Sequence, residues 1–419
     1  MSSVDSIYEV FLRSTGICTD TRKVETGNLF IALSGPNFNG NKFADEALQK
    51  GAIACVIDDP NFEGDKKMLV DDSLQTLQQL ANHHRNQFDI PVLAITGSNG
   101  KTTTKELIRA VLSQKFRVHA TEGNFNNHIG IPLTILSWKP GIELAIVEMG
   151  ANHVGEIGSY CVVAEPTHGL ITNIGHAHTE TFGGIEGVLR GKTELFDYLK
   201  KTDGTVFINV QDERLKHLTH RFTNLSTFPT EDVMIVPSAE YMCLRYNDEQ
   251  LTTQLTGNYN FQNVAAAIEV GAYFGVEPAQ IKEAIKQYTP TNHRSQVIKK
   301  SGRTVIMDAY NANPDSMRGA LDNLGRFDGY KVAILGDMNE LSNSDEEHRS
   351  LGRHAASLNL DRILLVGDKI RPAMDELPTA SHFSSTGELS DSLPDIPKEA
   401  TILLKASRTI KLEQLLEKL

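Results

Sequence analysis

Residues 92 to 106 read VLAITGSNGKTTTKE: a short apolar run, a turn holding two glycines, then helix-compatible residues. Strand, glycine turn and helix in that order form the arrangement that cradles a nucleotide triphosphate. Gly97 and Gly100 let backbone come close to phosphate, and successive N–H groups of Ser98, Asn99 and the helix start face the anion. Lys101 adds charge, the Thr102 hydroxyl can ligate magnesium, and Thr103 continues the first turn. The longer phosphate-loop pattern has a glycine five positions before Gly100, where Ile95 stands, so the match is to the shorter GxxGKT form. A GKT alone would mean little. Its flanks, a buried strand and a helix, make a phosphate ligand the expectation.

Working outward, the apolar runs Ala52 to Ile57, Leu144 to Val147, Leu170 to Ile174, Val305 to Met307, Val332 to Leu335 and Ile363 to Val366 are all short, and several precede helical patterns. That alternation predicts parallel sheets with crossover helices. Glu148 then falls at the carboxyl end of a strand, the edge where open α/β sheets bind ligands, and is a candidate magnesium ligand. His176 and His178 lie on the loop after the next strand, at the same edge. Either alone would read as a solvated loop residue. In EGVLRGKTELFDYLKK, Val188, Lys192, Leu195 and Leu199 share one helical stripe, so a lysine stands where core residues belong. Such a lysine either lays its stem along the core or holds its amine desolvated near the site.

With 419 residues, two or three domains are expected, and helical or strand breaks near Pro91 and Pro290 suggest three α/β segments: 1–86, 87–292 and 293–419. The net charge of −12 disfavours nonspecific binding to nucleic acid or anionic membrane. Four scattered cysteines, Cys18, Cys55, Cys161 and Cys243, show no metal spacing and read as buried thiols of a reducing compartment. MSSVDSIYEVFL has no basic region leading an apolar run, and no stretch has the length of apolar residues that spans a membrane. A cytoplasmic protein without membrane insertion is the expectation.

Together, TGSNGKTTTKE, the glutamate of VEMGA, the histidine of NIGHAH and the lysine of GKTELF resemble the Mur ligase family in content and order. The likeness extends through GNFNNHIGIPLT (residues 123–134), LTGNYNFQNVAAAI (255–268), HRSQ (293–296) and DAYNANPDSM (308–317). The resemblance implies three domains: a small N-terminal uridine-nucleotide domain, a central P-loop ATPase domain with a mainly parallel sheet, and a Rossmann-like C-terminal domain. It implies Asn260 and Asn263 by the nucleotide base, Arg294 at the phosphates, and Asp308 with Asn311 near the ribose. It implies substrate contacts from Thr21, Arg22, Ser34, Gly35, Asn39 and Gly40 at the UDP-sugar end, and from Asn126, Asn127 and Asn313. Thr102, Glu148, His178 and Lys192 would hold magnesium, His178 being preferred to His176. Lys192 would be carbamylated by carbon dioxide, which turns a cation into an anion able to bind metal.

Within the family, EMGANHVGEI, DAYNANPDSM and GDMNELSNSDEEHR resemble the member that adds D-alanyl-D-alanine to a UDP-linked muramoyl tripeptide in peptidoglycan precursor synthesis. Ser342 departs from a glycine common there, and a DNPR-like motif of the diaminopimelate- or lysine-adding member is missing. The implied chemistry is ATP-dependent: Lys101, Arg294 and magnesium stabilise transfer of the γ-phosphate to a carboxylate, with Lys192 and His178 at the second metal, and the enzyme acts as a monomer. A folate-type polyglutamate ligase shares the central fold but lacks the N-terminal module. A P-loop switch that only hydrolyses ATP would need no second metal site.

Overall fold

The computed structural model describes residues 1–238, 240–339 and 341–419; Glu340, inside the GDMNELSNSDEEHR stretch, lies outside the described residues. Three wholly or mainly parallel sheets follow one another along the chain, as expected for three α/β segments, beside a small hairpin and a short antiparallel sheet. The first is parallel, in the spatial order Ile17–Cys18, Leu29–Ile31, Ala54–Ile57, Lys67–Leu69. The hairpin Ser34–Gly35 with Phe38–Asn39 projects from it. Helix Ser73–Arg85 closes this segment and packs against helices Gly130–Leu136 and Glu156–Ala164 of the next. The buried Arg85 reaches across too, its Nε donating to the Ala164 carbonyl at 3.0 Å. One apolar core therefore runs from Ile7 and Leu77 to Val147 and Leu195 without a break at residue 86.

The central sheet is parallel throughout: Leu225–Phe228, Thr205–Asn209, His168–Ile171, Val92–Thr96, Leu144–Glu148, Val118–Ala120. Its phosphate-loop strand, Val92–Thr96, is buried at every position, as a strand covered by helices on both faces must be. Register sets Ile95 opposite Glu148 on one side and Thr96 opposite Ile171 on the other. The strand expected over Leu170 to Ile174 ends at Ile171; Thr172 N still donates to the Thr96 carbonyl, while the Thr172 and Asn173 side chains turn to the phosphate loop.

An antiparallel sheet, Val233–Val236, Cys243–Tyr246 and Glu249–Thr252, was not anticipated. Its two-residue turn is Asn247-Asp248, both at positive φ, a pair suited to a tight hairpin. The last sheet is ordered Gln296–Lys300, Arg303–Asp308, Thr401–Lys405, Lys331–Gly336, Arg362–Val366, Ser381–Phe383. Its first strand pairs antiparallel with the second through Ser301-Gly302, so only the remaining strands follow the parallel expectation. All four cysteines are buried and unpaired, and burial pushes the Cys55 thiol up to about 12. Among the described residues no helix is long and apolar enough to cross a membrane.

Candidate active site

Gly97 and Gly100 sit where no side chain fits. A Cβ on Gly97 would lie 2.0 Å from Thr172 Oγ1, and one on Gly100 2.3 Å from Asn263 Oδ1, with φ at +141° and +80°. The loop is clamped from the neighbouring strand's exit. Asn99 N donates to Asn173 Oδ1 at 2.9 Å, Thr172 Oγ1 to the Asn99 carbonyl at 2.6 Å, and Ser98 Oγ to the Gly175 carbonyl at 3.0 Å. Helix Lys101–Leu112 starts at Gly100, so its first amides point out of the loop mouth, where the helix dipole favours an anion. Lys101 Nζ curls back onto the Gly97 and Ser98 carbonyls at 2.7 and 3.2 Å. Thr103 is buried behind it.

Asn263 is buried against this turn, accepting from Thr104 Oγ1 at 3.0 Å and donating to Asn260 Oδ1 at 2.9 Å; Asn260 in turn donates to the Thr256 carbonyl. The pair thus braces the start of the phosphate-loop helix. Thr172, Asn173 and Thr256 were not read from the sequence; the polar run TNIG directly after an apolar strand was the available signal for the first two.

Glu148 ends its strand 1% exposed. Its Oε1 accepts from Thr102 Oγ1 at 3.2 Å and Asn126 Nδ2 at 2.8 Å, and its backbone N donates to Thr121 Oγ1. Oε2 is buried with no hydrogen-bond partner. Lys105, fully buried, holds its Nζ 3.9 Å from that oxygen while bonding the Thr121 carbonyl and pairing with Glu106 at 3.0 Å. A buried carboxylate oxygen left unmet costs about 1–3 kcal/mol, more when charged, and a cation beside Thr102 would relieve it. Among the described residues no group of three or more His, Cys, Asp or Glu is arranged to hold a metal ion. The Thr102 hydroxyl and the Glu148 carboxylate are hard oxygen donors of the kind that would hold magnesium.

Helix Ile185–Lys201 buries Val188, Lys192, Leu195 and Leu199 along one stripe, as the periodicity predicts. Lys192 is 2% exposed; its Nζ donates to the Ala151 carbonyl at 3.1 Å and lies 5.1 Å from the Phe182 ring centroid. Burial, aided by the Lys101 charge, holds the amine well below its ordinary range, against an opposing pull from Glu156 and Glu194. The carbonyl and ring face favour a cation, but desolvation is the larger effect, so a neutral amine is accessible. His178, half-buried at positive φ, leads the short helix Thr179–Phe182. His176 is exposed and turned away toward Asp315, its N donating to Oδ2 at 2.8 Å.

That contact belongs to the last segment, which meets the loop directly. Asn313 Nδ2 donates to Asn99 Oδ1 at 2.7 Å while its own Oδ1 caps helix Pro314–Gly325. Arg294 stacks its guanidinium 3.8 Å from the Tyr310 ring centroid, with Nε buried and without a partner. Asp308 accepts from Lys405 Nζ at 2.6 Å and from Ser295 N at 3.3 Å, and Lys405 also donates to the Asn311 carbonyl. Lys405, 2% exposed at a strand's carboxyl end, is a second buried lysine missing from the sequence reading.

Other expected residues lie apart from this cluster or have local partners. Asn127 Oδ1 accepts from the Ile129 and Gly130 amides just before and at the start of helix Gly130–Leu136. In the first segment Thr21 and Arg22 form a short turn, and Arg22 is doubly bonded to Asp20 at 2.8 and 2.7 Å. Ser34, Gly35, Asn39 and Gly40 form the projecting hairpin and its base, tied by Asn41, which donates to Ser34, Asn39 and Asp58.

Three family models match in succession: "Mur ligase family, catalytic domain" over residues 13–85, "Mur ligase middle domain" over 95–271, and "Mur ligase, glutamate ligase domain" over 293–408. The UDP-N-acetylmuramoyl-tripeptide--D-alanyl-D-alanine ligase of Bacillus subtilis (strain 168) is 36% identical, over 96% of this chain and 93% of its own. A crystal structure of MurF from Acinetobacter baumannii superposes with a TM-score of 0.90 at 29% identity, covering 99% of this chain and 98% of that one. MurF ligase from Thermotoga maritima in complex with ADP gives 0.84 at 28% identity, covering 97% of each. With its phosphate loop, strand-end glutamate and buried lysine in one ordered frame, the chain belongs to the Mur ligase family.

Proposed function

We propose that this chain joins D-alanyl-D-alanine to UDP-N-acetylmuramoyl-tripeptide with hydrolysis of ATP, in peptidoglycan precursor synthesis. The observation that carries the reading is similarity to enzymes of that name along 96% of the chain, the N-terminal segment included. A folate-type ligase would not share that segment. The UDP-sugar end is assigned to the first segment, with Thr21, Arg22, Ser34, Gly35, Asn39 and Gly40 as its contacts, and domain limits of 1–86, 87–292 and 293–419.

A carboxylate cannot expel oxide at neutral pH, so the tripeptide carboxylate first attacks the γ-phosphate of ATP, giving an acyl phosphate and ADP. The amine of the dipeptide then attacks the acyl carbon, loses a proton, and phosphate leaves. Ser98, Asn99 and the amides at the start of helix Lys101–Leu112 cradle the phosphates, and Lys101 swings from the Gly97 carbonyl to the transferring group. Asn260 and Asn263 act by bracing that turn. Arg294, stacked and with an unmatched Nε, approaches from the last segment; Asp308, bonded to the adjacent Ser295 N and tied through Lys405 to the Asn311 carbonyl, is assigned with Asn311 to the ribose.

Magnesium would be held by Thr102 and Glu148, and a second ion by Glu148, His178 and Lys192. Bound there, the metal offsets phosphate charge. Lys192 meets the requirement for carbamylation, since a buried neutral amine adds carbon dioxide and releases a proton, leaving an anion. Asn126 orients Glu148, Asn313 links the phosphate loop to the last segment, and Asn127 fixes the adjoining helix. Oxygen-18 placed in the tripeptide carboxylate should appear in the released phosphate. Phosphate free of the label would exclude the acyl phosphate.

A further inference from the structure

Two guanidiniums converge on one ring at the carboxyl edge of the last sheet. Arg294 lies 3.8 Å and Arg408 5.2 Å from the Tyr310 centroid. Arg294 belongs to the nucleotide side of the site. Arg408 is exposed, and among the described residues neither arginine has a carboxylate or a hydrogen-bond acceptor as its partner. Asp308, whose Oδ1 accepts from the backbone N of Ser295 next to Arg294, is already matched by Lys405. Like charges brought to one ring repel, and attraction to the ring face offsets only part of this. An anion between them would remove the conflict.

The backbone presents Arg408 firmly. Ser407 N donates to the Asp337 carbonyl at 3.0 Å, Ile410 N to the Ser407 carbonyl at 3.0 Å, and Asn339 N to Ser407 Oγ at 3.1 Å. The residue thus projects from the strand ends that form an open sheet's ligand edge. A planar guanidinium held by an aromatic face is preorganised for a carboxylate.

We infer that Arg408, steadied by Tyr310, binds the free carboxylate of the incoming dipeptide; this rests on the function proposed above. That carboxylate lies one residue from the reacting amine and keeps its charge throughout. Its recognition is therefore uniform binding, expressed in KM for the dipeptide and not in kcat. A guanidinium serving the ATP phosphates would instead alter KM for ATP or kcat.

The test compares D-alanyl-D-alanine with D-alanyl-D-alaninamide, whose carboxylate is neutralised, as substrates of the full chain and of Arg408→Ala and Arg408→Lys. The wild type should prefer the acid by about tenfold to a hundredfold in kcat/KM, the range for a hydrogen bond to a charged group. In Arg408→Ala the preference should fall to near unity with KM for ATP unchanged, and Arg408→Lys should keep part of it. An acid-to-amide preference in Arg408→Ala equal to the wild type's, or a loss confined to KM for ATP, overturns the inference alone. Failure of the wild type to ligate the dipeptide at all overturns the proposed function and the inference with it.

Discussion

Glu148 has one oxygen matched by Thr102 and Asn126 and another facing only a lysine amine 3.9 Å away. Replacing it with glutamine keeps the shape and removes the anion. Glu148→Gln should lower kcat/KM by about a hundredfold or more, the scale of removing a preorganised charge from a transition state, and raise the magnesium needed for half-maximal rate. A magnesium titration of initial rates checks this; an unchanged curve would exclude Glu148 as a ligand. Lys192→Ala should abolish ligation, with partial recovery when short-chain carboxylic acids are added to stand in for the proposed carbamate. Full activity without added acid would refute the proposed modification. Lys192 was legible because its neighbours on the stripe are apolar. Lys105 and Lys405 were not, since a lysine in KTTTKE or at the end of TILLK reads as exposed until its buried partners, the Thr121 carbonyl and Asp308, are located.

At the scale of elements, the phosphate turn depends on its glycines. Gly100→Ala places a methyl 2.3 Å from Asn263 Oδ1 at φ +80° and should cost about 1–3 kcal/mol of local strain. ATP affinity measured by calorimetry should fall accordingly; adding Asn263→Ala should restore space but not the backbone strain. An affinity equal to wild type would contradict the close approach. At the start of strand His168–Ile171, burial among Phe207, Tyr273 and Phe274 holds the His168 imidazole at about 4 against an ordinary 6.5. The unfolded chain takes up this proton first. The stabilising contribution is thus complete above about pH 6.5 and falls by about 3 kcal/mol as the pH drops toward 4. Denaturant midpoints should decline less steeply over that range in His168→Phe; parallel declines would contradict the assignment. The parallel strands were legible from short apolar runs flanked by helical patterns. The sheet of residues 233–252 was not, because Met234 and Ile235 are exposed apolar residues that blur the alternation.

For the whole molecule, the last segment contacts the phosphate loop through Asn313 to Asn99 and the loop after strand His168–Ile171 through Asp315 to His176, with Asn323 bonding Thr256. If this docking assembles the site, Asp315→Ala should reduce kcat about tenfold, the loss of one or two hydrogen bonds from the assembled state, and should enlarge the radius of gyration in X-ray scattering with both nucleotides bound. Unaltered kcat and radius would separate docking from catalysis. The three-segment order was readable from motifs, whereas the contacts between segments were not. They join residues between 67 and 214 positions apart whose side chains, asparagine, aspartate, histidine and threonine, look alike wherever they are solvated.

The central claim, ATP-driven addition of D-alanyl-D-alanine to the UDP-linked tripeptide, is tested most directly by phosphate release from ATP with each acceptor present singly and together. Stoichiometric phosphate and a pentapeptide product only when both the tripeptide nucleotide and the dipeptide are supplied is the predicted result. Release that ignores the dipeptide, or a product formed with a free amino acid in its place, would contradict it.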